Sequence, residues 1–240
     1  MKSIYLCGVR IDNITMKVAV ERALEKTGEP SVVFTPNAVM LEQCKRETRL
    51  SSLLSHATLS LPDGAGVLLA ARRLGTPLLE RVAGVDFGSA LLREAEGQGL
   101  RVFLLGGGDG VAGEAAKRLL EAHPSLRIAG TYWGYFDRHG EENRRVLSMI
   151  RETRADILFV CMGFPIQEEW VVENLSSLSF LRVIACLGGS LDVYAGRVKR
   201  APRALSRVGL EWAWRMAREP RRILHAGHLA RFALRRKKNL

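Results

Sequence analysis

Asp63 is the residue of this sequence best placed to do acid–base chemistry. It stands in Pro62-Asp63-Gly64, directly after an apolar run of strand length. A carboxylate at the end of a strand could accept a proton from an attacking hydroxyl group. The same side chain could instead be the N-cap of the helix that follows. Asp63 is therefore a candidate general base, with helix capping as the alternative.

Three further polar residues could bind a polar ligand. Arg81 precedes a predicted helix start and could hold a phosphate through two parallel hydrogen bonds, and Asp86 lies near the first turn of that helix. Alternatively, Arg81 is a surface residue and Asp86 a cap. Gln167 follows a buried run, and its amide could both donate to and accept from sugar hydroxyls, although alone it indicates an ordinary helix start.

A glycine-rich loop is predicted between a strand and a helix. Its glycines are Gly106, Gly107, Gly108, Gly110 and Gly113, the last three spaced as G-x-G-x-x-G. Such a loop lets the backbone approach a diphosphate at a helix N-terminus. A dinucleotide site would also require an acidic residue about 20 positions further on, where the chain has Thr-Tyr-Trp. A nucleotide site, an NAD site and a structural turn all stay open for this loop.

The sequence predicts neither a metal nor a cofactor. The five histidines form no compact ligand set, and there is no Asp-x-Asp pair. Cys7, Cys44, Cys161 and Cys186 form no C-x-x-C pair, and we predict that they are reduced core residues.

The elements that must position these residues alternate along the chain. Apolar runs of strand length alternate with helical patterns, which is typical of an α/β protein with a largely parallel, Rossmann-like sheet flanked by helices. The predicted strands are 4–8, 31–35, 58–61, 101–105, 127–132, 156–161 and 183–187, and the predicted helices are 15–26, 38–49, 64–74, 86–96, 111–122, 141–152 and 167–175. Ligands bind at the carboxyl edge of such sheets, so the loops after the strands are expected to form one site.

The positive charge is concentrated at the end of the chain. The formal net charge is +11, yet residues 197–240 alone hold 14 Lys and Arg against two acids, which leaves residues 1–196 near neutrality. We predict a catalytic domain over 1–196 and a basic, helical appendage over 197–240. Its arginines are interleaved with Trp212, Trp214 and Phe232, which favours docking to an anionic membrane surface. A basic patch with aromatic residues also fits nucleic acid, which we do not expect as a partner.

Location and assembly are less fully determined by the sequence. Arg10 and Asp12 interrupt the N-terminal apolar stretch, so we expect no secretory signal. No apolar stretch approaches the roughly 20 residues of a spanning helix. We expect a cytoplasmic protein that associates peripherally with the inner face of the plasma membrane, and the sequence leaves open whether it forms a homo-oligomer.

Five spaced motifs together resemble the WecG/TagA/CpsF glycosyltransferase family over essentially the whole chain. They are Thr35-Pro-Asn37-Ala, Pro62-Asp63-Gly64, Arg81-Val-Ala-Gly84-Val-Asp86, Gly163-Phe-Pro-Ile-Gln167-Glu168, and Arg200-Ala-Pro202 with Gly209-Leu-Glu-Trp212. The resemblance implies inverting, metal-independent transfer of N-acetylmannosamine from its UDP conjugate to the 4-hydroxyl of undecaprenyl-diphosphate N-acetylglucosamine, in teichoic acid linkage-unit synthesis. Relatives use other donors, including an N-acetylmannosaminuronate.

The resemblance also implies a role for each site residue. Asp63 would be the general base, and Thr35, Asn37 and Gln167 would line the donor sugar pocket. Arg81 and the N–H groups near Gly106, Gly107 and Gly108, up to Gly110, would hold the donor diphosphate, and Asp86 would be a further donor-binding residue. Arg215, Arg221 and Arg222 of the appendage would contact the acceptor diphosphate and the membrane. The rival interpretations are an NAD-dependent oxidoreductase and a non-catalytic basic protein that binds membranes or nucleic acid.

Overall fold

Six parallel strands form the main sheet of the protein. The structure is a computed structural model that describes residues 2–199, 201–202, 214, 227 and 231–232. The sheet order is β4-β3-β8-β7-β5-β6, and every pairing is parallel. Its strands are β3 (Ser31–Phe34), β4 (Leu59–Ser60), β5 (Arg101–Gly106), β6 (Arg127–Tyr132), β7 (Ile157–Cys161) and β8 (Val183–Cys186). The predicted fold class is confirmed.

The first predicted strand, 4–8, is present but ends at Leu6, and it does not join the main sheet. The chain instead forms an antiparallel hairpin of β1 (Ser3–Leu6) and β2 (Val9–Asp12), apart from the main sheet. Its two-residue turn consists of Cys7 and Gly8, with φ angles of 52° and 81°. Positive φ at both turn residues matches the right-handed twist of paired strands. Cys-Gly is not one of the usual dipeptides for such a turn, so the sequence pattern did not reveal it.

The helices follow the predicted pattern with two differences. The predicted helix 38–49 is broken at Glu47, whose backbone is extended. Glu47 is the C-cap of one helix and the N-cap of the next. A short helix after β8 was not predicted. The helices are α1 (Met16–Ala23), α2 (Ala38–Arg46), α3 (Thr48–Leu54), α4 (Ala65–Leu74), α5 (Gly84–Gln98), α6 (Val111–Ala122), α7 (Glu141–Glu152), α8 (Ile166–Glu173) and α9 (Ser190–Tyr194), with a 3-10 turn over Leu175–Leu178.

The sheet is buried on both faces. Along β7, Leu158 and Val160 face the cluster formed with α2, α3, α4, α7 and α8, whereas Ile157 and Phe159 face the cluster formed with α1, α5, α6 and α9. All five residues of β7 are buried. This two-sided burial explains why the strands are continuous apolar runs rather than alternating ones.

The hairpin fixes the position of the edge strand β4. Asp12, which is fully buried, accepts a hydrogen bond from the N–H of Ser60 at 2.8 Å and forms an ion pair with Arg10 at 3.2 Å. Arg10 also donates to the carbonyls of Ala57 and Thr58. Strand β4 is only two residues long and forms few hydrogen bonds within the sheet. These contacts from the hairpin therefore help to hold the strand that leads to Asp63.

The connections leave the sheet in opposite directions next to its centre. From β5 the chain passes through α6 to β6 on one side, and from β7 it passes through α8 to β8 on the other. The carboxyl ends of β5 and β7 therefore flank a topological switch point, where open α/β sheets bind ligands. The predicted glycine loop lies at this point.

The four cysteines are buried and free of disulfides, as predicted. Burial raises the pKa of Cys44 and of Cys161 to about 12, so both remain thiols at neutral pH. Over the portion of the chain that is described, no helix has the length and apolarity needed to cross a bilayer.

Candidate functional site

Asp63 lies in a loop that is tied to its neighbours on both sides. Its N–H donates to the carbonyl of Pro36 after β3 at 3.3 Å, and the carbonyl of Pro62 accepts from the N–H of Val82 before α5 at 3.0 Å. Asp63 itself is half-buried. Three of the motifs that are far apart in sequence therefore meet at the carboxyl edge of β3 and β4, with Asp63 between the other two.

The helix-cap alternative for Asp63 is wrong. The N-cap of α4 is Gly64, with φ of 87°. Glycine suits this conformation because an L side chain would be strained there.

Thr35 and Asn37 both hold elements together at this edge. Thr35 is buried, and its hydroxyl donates to the carbonyl of Cys186 at the end of β8 at 3.2 Å. Asn37 is the N-cap of α2, since its Oδ1 accepts from the N–H groups of Val39 and Met40 at 3.0 and 3.2 Å. The cap uses the amide oxygen of Asn37, and its Nδ2 is the part that can donate to a ligand.

Arg81 and Asp86 form a loose ion pair beside Asp63. Their nearest N–O distance is 4.0 Å, and their side chains are 22% and 35% exposed. Asp86 is the third residue of α5, whose N-cap is Ala83, so the cap alternative for Asp86 is wrong. A partly exposed ion pair of this length is weak. A phosphate could therefore compete for Arg81 at little cost.

The glycine loop is built into the switch point between β5 and β7. Gly106 has φ of 134°, and a Cβ at that position would collide with the carbonyl of Cys161. The N–H of Gly107 donates to the same carbonyl at 2.9 Å, and the carbonyl of Gly107 accepts from the N–H of Gly134 at 2.9 Å. The N–H of Gly107 is thus used by the fold, whereas no described residue accepts from the N–H of Gly108.

Two features at this loop were missed by the sequence analysis. Arg197 donates through Nη2 to the carbonyl of Asp109 at 3.2 Å, which places a guanidinium beside the N-terminus of α6. The rings of Trp133 and Tyr135 lie 6.3 Å apart and are 38% and 74% exposed, in the segment that Gly134 fastens to the loop. The sequence signal that could have indicated Trp133 and Tyr135 is the pair of aromatic residues directly after a predicted strand.

Gln167 is buried and joins the loops after β7 and β8. Its Oε1 accepts from the N–H of Gly163 at 3.2 Å and from the N–H of Gly188 at 3.0 Å. Its Nε2 donates to Oε1 of Glu168 at 2.9 Å. Both acceptor sites of the amide oxygen are therefore occupied, and one Nε2 hydrogen is what Gln167 can offer to a ligand.

Phe232 of the C-terminal segment packs at the carboxyl edge of the sheet, beside α4. Phe232 is 3% exposed, and its ring lies 3.9 Å from where a Cβ on Gly66 would stand, in the first turn of α4. The structure buries Phe232 against the protein, so the expectation that it faces the membrane interface is wrong. Arg215, Arg221 and Arg222 lie outside the described residues, as does most of the predicted appendage.

The site residues thus lie along one edge of the sheet. Four strand spacings of about 4.8 Å separate β4 from β5, so Asp63 and the glycine loop are roughly 19 Å apart at the strand ends. An elongated ligand could contact both. Among the described residues, no three His, Cys, Asp or Glu side chains are grouped so that they could hold a metal ion.

Comparison with known proteins identifies sequences similar to this chain over most of its length. The family model described as "Glycosyl transferase WecG/TagA/CpsF family" matches residues 4–238. An N-acetylglucosaminyldiphosphoundecaprenol N-acetyl-beta-D-mannosaminyltransferase of Bacillus spizizenii is 35% identical over 190 residues, which are 79% of this chain and 72% of that protein. A protein of the same name from Staphylococcus aureus is 32% identical over 223 residues, covering 91% of this chain and 85% of that protein.

Proposed function

This chain belongs to the WecG/TagA/CpsF family of glycosyl transferases, and we propose that it transfers N-acetylmannosamine from UDP to the 4-hydroxyl of undecaprenyl-diphosphate-linked N-acetylglucosamine. The observation that carries the proposal is the convergence of the family motifs on Asp63. The hydrogen bonds from Asp63 to Pro36 and from Val82 to Pro62 bring three motifs to one point of the edge. The polymer served is a teichoic acid linkage unit or a related surface polysaccharide.

In this mechanism Asp63 is the general base. Its carboxylate takes the proton from the acceptor 4-hydroxyl as that oxygen attacks the anomeric carbon of the donor. The new oxygen–carbon bond forms on the face opposite to UDP, and the bond from the anomeric carbon to the diphosphate breaks. A single displacement of this kind inverts the anomeric configuration. The half-buried position of Asp63 supports the assignment, because the carboxylate is accessible to a hydroxyl of the acceptor.

The departing diphosphate requires positive partners, since a charge of this size must be stabilised as the bond breaks. We assign this role to Arg81 at the Asp63 end of the groove, and we assign Arg197 with the N–H groups of Gly108 and the first turn of α6, at the glycine loop, to the uridine end of the donor. Asp86 holds Arg81 in place until the phosphate displaces it. Gly106 and Gly107 contribute by allowing the backbone turn rather than by donating. This set of groups needs no metal, which makes resistance to EDTA an expectation of the proposal.

The remaining donor contacts are assigned by the position of each residue along the carboxyl edge of the sheet. Thr35, Asn37 through Nδ2, and Gln167 through its second Nε2 hydrogen line the sugar end of the groove. Trp133 and Tyr135 stand beyond the glycine loop, where an exposed ring can stack on the uracil base, an interaction worth about 1–3 kcal/mol. A different UDP-sugar, such as the uronate, would occupy the same groove.

The acceptor is lipid-linked, so the active edge must approach a membrane. We propose that residues 197–240 form a basic appendage to a catalytic domain of residues 1–196. In this proposal Arg215, Arg221 and Arg222 contact the acceptor diphosphate and the anionic surface at the inner face of the plasma membrane. The burial of Phe232 beside the first turn of α4 supports this arrangement. It brings the end of the basic segment to the helix that follows the Asp63 loop.

The deciding experiment is the release of UDP from a panel of UDP-sugars by the full chain, with undecaprenyl-diphosphate N-acetylglucosamine as acceptor and EDTA present. We expect release from UDP-N-acetylmannosamine that requires the acceptor. If UDP is released from a different UDP-sugar, and only when the acceptor is present, the transfer reaction stands and the identity of the donor sugar changes. No release from any donor, together with thermal stabilisation by NAD and not by UDP, would overturn the proposal in favour of an oxidoreductase.

A further inference from the structure

Glu168 is a fully buried carboxyl group that the mechanism above does not use. It is the third residue of α8 and has no exposed surface. Its Oε1 accepts from Nε2 of Gln167 at 2.9 Å, and its Oε2 has no hydrogen-bond partner among the described residues. A buried carboxylate with an unpartnered oxygen is costly, whereas the neutral acid loses much less on leaving water.

The surroundings of Glu168 contain no described cation that would compensate a charge. Cys44 of α2 and Cys186 of β8 are buried thiols that interact with it electrostatically, and burial keeps both protonated. Glu169 of the same helix adds a negative charge, which is itself paired with Arg49 of α3 at 2.5 Å. Burial raises the pKa of Glu168 to about 7, against the opposing effect of the Gln167 hydrogen bond.

The hydrogen bond to Glu168 determines how the Gln167 amide is turned. With Nε2 held by Glu168, Oε1 faces Gly163 and Gly188 and accepts from both N–H groups. These glycines begin the loops after β7 and β8, two strands that are adjacent in the sheet. Turning the amide over would place Nε2 against two N–H groups and break all three hydrogen bonds.

We propose that Glu168 is a positioning residue, which holds Gln167 and, through it, the loops that begin at Gly163 and Gly188 at the carboxyl edge where the donor sugar binds. The functional part of this inference rests on the proposed transfer reaction. The structural part, the fastening of Gly163 and Gly188, does not.

Three variants of the full chain separate these parts. Glu168→Gln keeps an acceptor for Gln167 but cannot ionise. Glu168→Leu removes the acceptor and retains the volume. Glu169→Gln removes one charge from the neighbouring position of the same helix and is the matched control. Backbone hydrogen exchange at Gly163 and Gly188, without substrate, and the kcat and KM for UDP release between pH 6 and pH 9 are measured for each.

We expect Glu168→Leu to exchange Gly163 and Gly188 faster than the wild type and to show a KM for the donor raised about tenfold at every pH, with a smaller change in kcat. Glu168→Gln should keep both values near those of the wild type, because its amide oxygen still accepts from Gln167, and Glu169→Gln should match the wild type. Unchanged exchange in Glu168→Leu, or an equal rise in KM in Glu168→Gln and Glu168→Leu, would overturn the inference. If Glu168→Leu does not fold, Glu168→Met, which also lacks the acceptor and has a more adaptable side chain, takes its place.

The outcome can be told apart from failure of the proposed function. If the wild type releases UDP from no donor while the exchange differences appear as expected, the transfer reaction is wrong and the positioning role of Glu168 stands. If transfer occurs and neither exchange nor the KM for the donor responds to Glu168→Leu, the positioning role is wrong.

Discussion

The buried carboxylate of Asp12 accepts a hydrogen bond from the N–H of Ser60 at 2.8 Å and pairs with Arg10 at 3.2 Å. Through this contact the N-terminal hairpin supports the two-residue edge strand that precedes Asp63. We expect Asp12→Ala to lower the free energy of unfolding by about 1–3 kcal/mol, because it leaves the buried N–H of Ser60 and the Nε of Arg10 without their acceptor. Urea denaturation measures this change.

Glu21→Ala is the control for this prediction, since Glu21 forms an exposed pair with Lys17 on α1. Its loss should change the free energy of unfolding by less than about 0.5 kcal/mol. Equal effects of the two substitutions would show that the hairpin does not support the edge strand.

Asp63→Asn should lower kcat for transfer by about 100-fold or more, since an amide cannot take the acceptor proton. UDP binding, measured by calorimetry, should change little. Glu121→Gln, an exposed carboxylate at the end of α6, should leave both values unchanged. Full activity of Asp63→Asn would remove this residue from the mechanism.

Gly106→Ala should destabilise the protein and weaken UDP binding. Gly106 has φ of 134°, and a Cβ there would meet the carbonyl of Cys161. Gly113→Ala is the contrasting change, because this position is in the first turn of α6 with open space around the missing Cβ. It should stabilise the protein by about 0.5–1 kcal/mol in thermal unfolding. If Gly106→Ala and Gly113→Ala changed stability and UDP binding equally, the close contact between Gly106 and the carbonyl of Cys161 would not constrain the loop.

Phe232→Ala should lower the free energy of unfolding by about 3 kcal/mol, as expected for truncation of a buried phenylalanine. Hydrogen exchange should increase in the first turn of α4, where Phe232 packs near Gly66. Phe180→Ala is the control, since Phe180 is 38% exposed and lies under Arg151. A loss of about 1 kcal/mol or less is expected there.

Glu168 should make the stability of the wild type depend on pH in a defined direction. The folded state keeps the proton up to about pH 7, whereas the unfolded chain releases it near pH 4.5. Between these values the folded state binds more protons, so its stability is greatest below about 4.5 and falls as pH rises to about 7. The difference amounts to about 3 kcal/mol.

Thermal unfolding of the wild type and of Glu168→Gln across this range tests the sign. The free energy of the variant relative to the wild type should rise by about that amount between pH 4.5 and pH 8. A constant difference would mean that Glu168 is ionised in the folded protein throughout.

Much of this protein could be predicted from local sequence patterns. Apolar runs long enough only for strands predicted the parallel sheet, and helix α7 has the predicted bounds, 141–152. The helical break at Glu47 and the turn at Cys7 and Gly8 were missed because neither carries the residue types that usually mark such features. The spaced motifs around Asp63 and Gln167 sufficed for the family, which the comparisons confirm.

Local sequence patterns are enough to predict which residue types stand at the ends of strands, because strand periodicity and loop composition are local properties. What those residues do depends on contacts that form only in the folded chain. The tertiary structure gave the cap of α4 to Gly64, used the N–H of Gly107 within the fold, and turned Gln167 into a bridge between two loops. Hydrogen-bond partners depend on strand order, here β8 between β3 and β7, and on which groups are buried together. Such relations can join distant positions, as in the hydrogen bond from Thr35 to the carbonyl of Cys186, 151 residues further along the chain, and no local pattern contains them.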